Sequence, residues 1–278
     1  MDDIPEPTYR GTDVQAIADT MLKAFRKHHV KGVYGMLNGI HVQEIPGSRQ
    51  VLEQWIRDGQ LLGNHTWSHP DLVTTTLTEY LANIRQNEAL LQALMPFRNY
   101  RYFRFPYLAE GDTENKRQGV RQFLADNGYR TAEVTVDFFD YEWIEPYDRC
   151  LASHRTADVQ WLRRSFLENA RYGLEIAQRL ATLEVQRHVK HILLLHFARV
   201  EADMMDALLS AYEARGVRFI GLPEALSDPI YQTDTQMVLP RSYTFLNQIR
   251  LRKHLDNPTR VAELYAKLPE EKLASLCQ

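Results

Sequence analysis

The chain has 278 residues, 44% hydrophobic and 25% charged, with a formal net charge of −3. That length suits one large α/β domain or a domain with an appendage. Near-neutral charge speaks against a nucleic-acid-binding face, and no apolar run approaches the roughly 18–20 residues that span a bilayer.

The chain opens on Met1-Asp2-Asp3-Ile4-Pro5, with no charged-apolar-small leader, so either it is cytoplasmic or its true N-terminus has been removed. An adjacent Asp pair is most often a solvated terminus. Thr12 and Asp13 are candidate caps for a helix to about His29, with Ile17, Met21, Leu22 and Phe25 on one face. Val33 to Leu37 reads as a buried strand ending at Asn38-Gly39. Ser48 starts a helix with Val51, Leu52, Trp55 and Ile56 as its apolar stripe.

Leu61 to Asn64 reads as a short strand, and the polar turn after it carries His65 and His69. One helical turn after His65 would point both imidazoles to the same side. Neutral imidazoles held this way supply two of the usual three protein ligands of a catalytic zinc ion, although a bare pair at this spacing is weak evidence.

A helix is expected over Leu77 to about Leu94, then a strand over Tyr102 to Tyr107 and a helix from Gly119 to Asn127 with Gly128 as C-cap. Thr131 to Val136 reads as a strand delivering Asp137, and a long helical tract follows from about Ala157 to Arg187. His191 to His196 reads as a buried strand, Glu201 to Gly216 as a helix and Val217 to Ile220 as a last strand. Alternating strands and helices predict a largely parallel sheet with helices outside, as in a barrel. His65, His69, Arg104, Tyr107, Asp137 and His196 all fall just after strands, where β/α barrels build their sites.

Residues 1–228 read as one domain and 229–278 as a C-terminal helical extension, taken as a packing appendage. Cys150 and Cys277 match no metal spacing; they could pair, with two ordinary thiols as the first reading. His28, His29, His41, His154, His188 and His191 fit no motif.

Taken together, these residues resemble the polysaccharide deacetylases, the NodB-homology domain of carbohydrate esterase family 4, over roughly residues 1–226. Met1-Asp2-Asp3-Ile4-Pro5 looks like that family's first motif, and His65-Thr66-Trp67-Ser68-His69 like its second. Arg104-Phe105-Pro106-Tyr107 looks like the third, Asp137 to Trp143 like the fourth and Leu193-Leu194-Leu195-His196 like the fifth.

The resemblance implies a deformed (β/α)7 barrel and metal-dependent removal of acetyl groups from N-acetylated sugars. It makes Asp3, His65 and His69 the ligands of one divalent ion, zinc first, with cobalt or nickel as alternatives. Asp2 would be the general base and His196 the general acid that protonates the departing amine. Arg104 would hold Asp2, the Tyr107 N–H would stabilise the oxyanion and Asp137 would pair with His196. Tyr107, Trp143 and Leu194 or Leu195 would contact the substrate, the last three walling an acetyl slot. Glu110, Asp112 and Asp140 lie near motifs without an assigned role.

Two departures stand out. Tyr141-Glu142 separates Asp140 from Trp143, and the family's usual first strand is lacking because the chain begins at the Asp pair. The open seam would weaken the metal site unless another segment, or a second subunit in a homodimer, covers it. The expected partner is an N-acetylated glycan (a chitooligosaccharide, peptidoglycan or an exopolysaccharide), with no nucleic acid and no membrane span. That substrate favours a periplasmic or secreted location. The competing readings are hydrolysis of a non-sugar C–N bond, as in a cyclic imide or ureide, and a catalytically silent sugar-binding module.

Overall fold

The structure, a computed structural model, describes residues 1–5 and 13–278; Thr12, one of the two candidate caps, lies outside them. Asp13 does cap helix α1 (Val14–Lys27), its Oδ1 accepting from the Gln15 N–H at 2.9 Å. Four parallel strands follow in the order β1 (Tyr34–Leu37), β2 (Leu61–Asn64), β3 (Tyr102–Phe103) and β4 (Arg130–Thr131). Tyr34 pairs with Leu61, Asn64 with Phe103 and Tyr102 with Arg130. Between β1 and β2 lie the short α2 (Ile40–Glu44) and α3 (Ser48–Arg57).

The sheet continues past β4 through single bridges. Val136 bridges Leu193, His196 bridges Asp2, and Ile4 bridges Leu37 of β1, all parallel. The pairing therefore runs around a ring and returns to its start. Residues 1–4 sit in the seam that the sequence left open. The Asp2 N–H donates to Leu195 O at 2.7 Å on one side, and on the other the Met36 N–H donates to Met1 O at 2.7 Å. The first-strand position is thus held by a very short segment, with bridges in place of a ladder.

Helices cover the outside: α4 (Leu77–Leu94), α5 (Glu114–Asp126), α6 (Ile144–Ala152), α7 (Thr156–Val185) and α8 (Arg199–Glu213). Helix α5 begins before the expected Gly119, capped by Thr113, and α6 was not expected at all. Residues 217–220, read as a last strand, join no ladder among the described residues. The main core gathers Trp55, Trp143, Phe166, Phe197 and the inner faces of α1, α7 and α8.

The C-terminal part carries the short α9 (Leu222–Ala225), α10 (Phe245–Arg252), α11 (Thr259–Tyr265) and α12 (Glu270–Ser275). Helices α10 and α11 pack on α7, and the Phe245 N–H donates to Val134 O at 2.7 Å. Cys150 and Cys277 form a disulfide across a sequence separation of 127, contrary to their reading as separate thiols. Spacing alone did not reveal it, because only the packing of α12 brings the two together. Among the described residues no helix is long and apolar enough to cross a membrane.

Candidate metal centre and active site

The ends of β1 and β2 hold the histidine turn. Buried Asn38 donates through Nδ2 to His65 O at 2.6 Å, and Asn64 Oδ1 accepts from the Thr66 N–H at 2.9 Å. Asn87 of α4 ties the two strand ends together, donating to Leu37 O at 2.6 Å and to Asn64 Oδ1 at 3.0 Å. The turn is not the expected helical turn. Thr66 and His69 adopt φ of 67° and 53°, and these left-handed residues fold His69 back so that its ring centroid lies 4.8 Å from that of His65. The asparagines escaped the sequence reading; their only signal was an amide placed at the end of two successive strands.

His65 is 2% exposed and its Nδ1 lies 2.8 Å from Arg104 O, which fixes the tautomer and leaves Nε2 facing the cleft. Asp3 stands at φ 57°, and its Oδ1 lies 3.5 Å from both His65 Nε2 and His69 Nε2. That oxygen is buried and has no hydrogen-bond donor among the described residues. The three ligand atoms lie within 4.8 Å of one another. Ligands about 2.0–2.2 Å from a tetrahedral zinc ion stand roughly 3.4 Å apart, so the cluster fits a divalent cation. Burial, more than Asp2 and Asp3 can offset, lowers the His65 pKa to about 4, which keeps the imidazole neutral as a ligand must be.

Asp2 turns the other way. Its Oδ1 accepts from Arg104 Nη1 at 2.7 Å while Arg104 Nε donates to Ala132 O at 3.0 Å. Burial raises the Asp2 pKa, but Arg104, His65 and the chain's amino group together outweigh it and hold it at about 2. Asp2 Oδ2 is left 3.7 Å from His65 Nε2, on the cleft side.

His196 stands beside this pair, placed by its bridge to Asp2. Its partner is Asp140, which accepts from the His196 N–H at 2.7 Å through Oδ2 and lies 2.9 Å from Nδ1 through Oδ1. The expected pairing with Asp137 is therefore corrected. Asp137 Oδ1 accepts instead from the Phe139 N–H at 2.8 Å, forming a turn that sends the next carboxylate, Asp140, under the imidazole. Burial opposes the charged imidazole, yet Asp140, Asp3 and Asp2 raise the His196 pKa to about 10. Burial pushes the Asp137 pKa up to about 6.

Behind Asp140 sits Glu201 in the first turn of α8, 1% exposed. Neither of its carboxyl oxygens has a donor among the described residues. Burial first, and then the charge of Asp140, raise its pKa well above the carboxylate range. Its sequence position, in an amphipathic helix, offered no signal.

The cleft around these groups has a volume of about 630 Å³ and is lined by Tyr107, Asp137, Tyr141, Leu194 and the C-terminal Arg241 and Ser242. Tyr107 is 55% exposed at φ 58°, with its ring 4.5 Å from that of His69. Two expected wall residues are elsewhere. Trp143 is fully buried and donates through Nε1 to Ser165 Oγ at 2.9 Å. The 3-10 turn over Asp140–Trp143 points it into the core and leaves Tyr141 over His196, with ring centroids 5.6 Å apart. Leu195 packs in the core because neighbouring residues of an extended segment face opposite ways; Leu194 and His196 share the cleft side. Glu110 is buried in an ion cluster with Arg117 and Arg121.

Residues 1–132 match the family model described as polysaccharide deacetylase. A chitin deacetylase of Arthroderma benhamiae is 26% identical over 209 residues, covering 75% of this chain and 48% of that protein. A peptidoglycan-N-acetylglucosamine deacetylase of Bacillus cereus is 22% identical over 214 residues, covering 77% of this chain and 64% of that protein. The chain thus spans about half to two thirds of the length of these curated relatives. Among solved structures, a wild-type pseudoenzyme of carbohydrate esterase family 4 from Bacillus anthracis is similar in fold, with a TM-score of 0.55 at 19% identity, covering 81% of this chain and 65% of that one.

Proposed function

We propose that this chain, whose residues 1–132 match the polysaccharide deacetylase family model, is a divalent-metal-dependent hydrolase removing acetyl groups from the N-acetylated sugars of a polysaccharide. The observation that carries this reading is the Asp3–His65–His69 cluster, with a buried carboxylate oxygen that has no hydrogen-bond donor among the described residues and lies 3.5 Å from two imidazole nitrogens. A pseudoenzyme shares the fold, so the fold by itself does not carry activity.

Asp3, His65 and His69 would hold the ion, which supplies a Lewis acid that polarises an amide carbonyl and eases the ionisation of water. The chain's own groups do the rest. Asp2, kept ionised by Arg104, presents its second oxygen to the cleft and accepts the proton of the attacking water. His196, charged through Asp140, gives its proton to the departing amine; without it the leaving group would be an amide anion. The Tyr107 N–H is the candidate donor to the oxyanion, and Leu194 with Tyr141 walls the acetyl slot. The Cys150–Cys277 disulfide favours an oxidising, periplasmic or extracellular, location.

The test is metal content and acetate release from N-acetylglucosamine oligomers, comparing the chain with His65→Ala. About one metal per chain and acetate release that is lost in His65→Ala are expected. Bound metal without acetate release would overturn the sugar-deacetylase reading, and a folded chain with neither would make it a silent module.

A further inference from the structure

The active-site cleft does not stop at the barrel. A second cleft of about 370 Å³ lies between the 137–139 turn and helices α10 and α11. Asp137 and Ser242 line both spaces, so the two adjoin. Its volume falls in the range, roughly 300–1,000 Å³, of sites that hold small ligands.

Its lining has the chemistry of a polyol site. Phe139 and Tyr265, with ring centroids 6.3 Å apart, offer apolar faces. Asn257 is exposed on the rim. Asn247 spends its Nδ2 on Tyr265 Oη at 2.7 Å and Thr244 Oγ1 at 3.0 Å, while its Oδ1 has no partner among the described residues. The lining cation, Arg250, pairs through Nη1 with buried Glu184, a carboxylate it shares with Lys253, and its Nε has no partner among the described residues. The remaining charged residues of the lining, Asp137 and Asp256, are acids. A ligand unit carrying a carboxylate meets repulsion there, whereas a neutral ring with hydroxyl and acetamido groups meets amides and aromatic faces.

We propose that this cleft is a subsite for a neutral N-acetylated sugar unit, the neighbour in the same glycan of the unit presented to Asp3, His65 and His69. The proposal rests on the deacetylase reading for the identity of the polymer. It makes residues 242–265 part of the substrate groove and favours a glycan of uncharged N-acetylglucosamine over one with alternating acidic units.

The experiment is calorimetric titration of the full chain carrying His196→Ala, to prevent turnover, with the N-acetylglucosamine dimer and hexamer. The hexamer is expected to bind at least about tenfold more tightly than the dimer. Adding Asn257→Trp, which fills only the second cleft, is expected to abolish that difference. Equal affinities in the parent, or a difference that persists with the tryptophan, overturns the subsite. If circular dichroism shows that Asn257→Trp is unfolded, Asn257→Ala decides: a reduced difference supports the proposal and an unchanged one overturns it. Acetate release from the hexamer by the unmutated chain is scored separately. Its absence overturns the deacetylase reading, and the binding difference still judges the subsite.

Discussion

Two neighbouring aspartates take opposite tasks because Asp3 adopts a left-handed φ of 57°. Asp2 goes to Arg104 and Asp3 to the histidines. Arg104 and Asp2 are both nearly fully buried, 3% exposed each, so Arg104→Met leaves an uncompensated carboxylate inside the barrel. Urea unfolding is expected to show a loss of about 3–5 kcal/mol. The pH dependence has a definite sign. The Asp2 pKa falls from its ordinary 3.8 to about 2 on folding, so its contribution is present above 3.8 and is lost as pH drops through 2. In Arg104→Met burial is no longer offset by the guanidinium, so the stability deficit should be largest at neutral pH and should shrink as acidification protonates Asp2. His196 behaves oppositely: raised from 6.5 to about 10, it stabilises the fold below 6.5 and ceases to do so as pH climbs through 10. Asp140→Asn removes the main charge holding it up. NMR titration of the metal-free protein should then place the His196 pKa lower, and Asp137→Asn should move it less. An equal response to both would return Asp137 to the role that the sequence suggested for it.

Helices and turns decide which of these side chains meet. Gly173 in the middle of α7 lies under the 137–138 turn; a Cβ there would stand 2.9 Å from Asp137 O and 2.9 Å from Phe138 Cβ. Alanine improves helix propensity by about 1 kcal/mol, whereas overpacking of this kind costs about 1–3 kcal/mol. Both neighbours belong to a turn tied by the Asp137–Phe139 hydrogen bond, so they cannot simply rotate away. Gly173→Ala is expected to lower the melting temperature and reduce acetate release, because the turn positions Asp140. An unchanged melting temperature would show that α7 yields instead. The strand–helix alternation was legible from apolar spacing, and so was the placement of polar residues after strands. Helix α6 was not. Its stretch Ile144–Ala152 carries a proline and follows a motif, and only packing against α7 and α8 makes it helical.

At the scale of the whole molecule, the C-terminal extension is fastened to the barrel at several points. Leu239 O accepts from the Glu110 N–H at 2.9 Å, buried Arg250 pairs with Glu184, and Cys277 is joined to Cys150. The disulfide closes a loop with a sequence separation of 127, for which the chain-entropy estimate is about 4–5 kcal/mol and the usual measured range about 2–5. Replacing both cysteines by serine, or reducing the native protein, should lower the melting temperature. If the extension walls the groove as proposed, the same change should weaken hexamer binding more than dimer binding.

The apolar periodicities were enough to reach the parallel α/β architecture, and the resemblance of five short motifs to the polysaccharide deacetylases singled out Asp2, Asp3, His65, His69, Arg104 and His196, four of which fall just after strands, where β/α barrels build their sites. Tertiary structure alone decided what spacing cannot encode: that residues 1–4 close the ring, that Asp140 rather than Asp137 holds His196, and that Trp143 belongs to the core and Tyr141 to the cleft. It alone joined Cys150 to Cys277 and brought residues 242–265 beside the 137–139 turn. In each case the deciding fact is the direction of a side chain or the docking of a distant segment. Those follow from local φ values and from packing across the whole fold, not from residue type at a position.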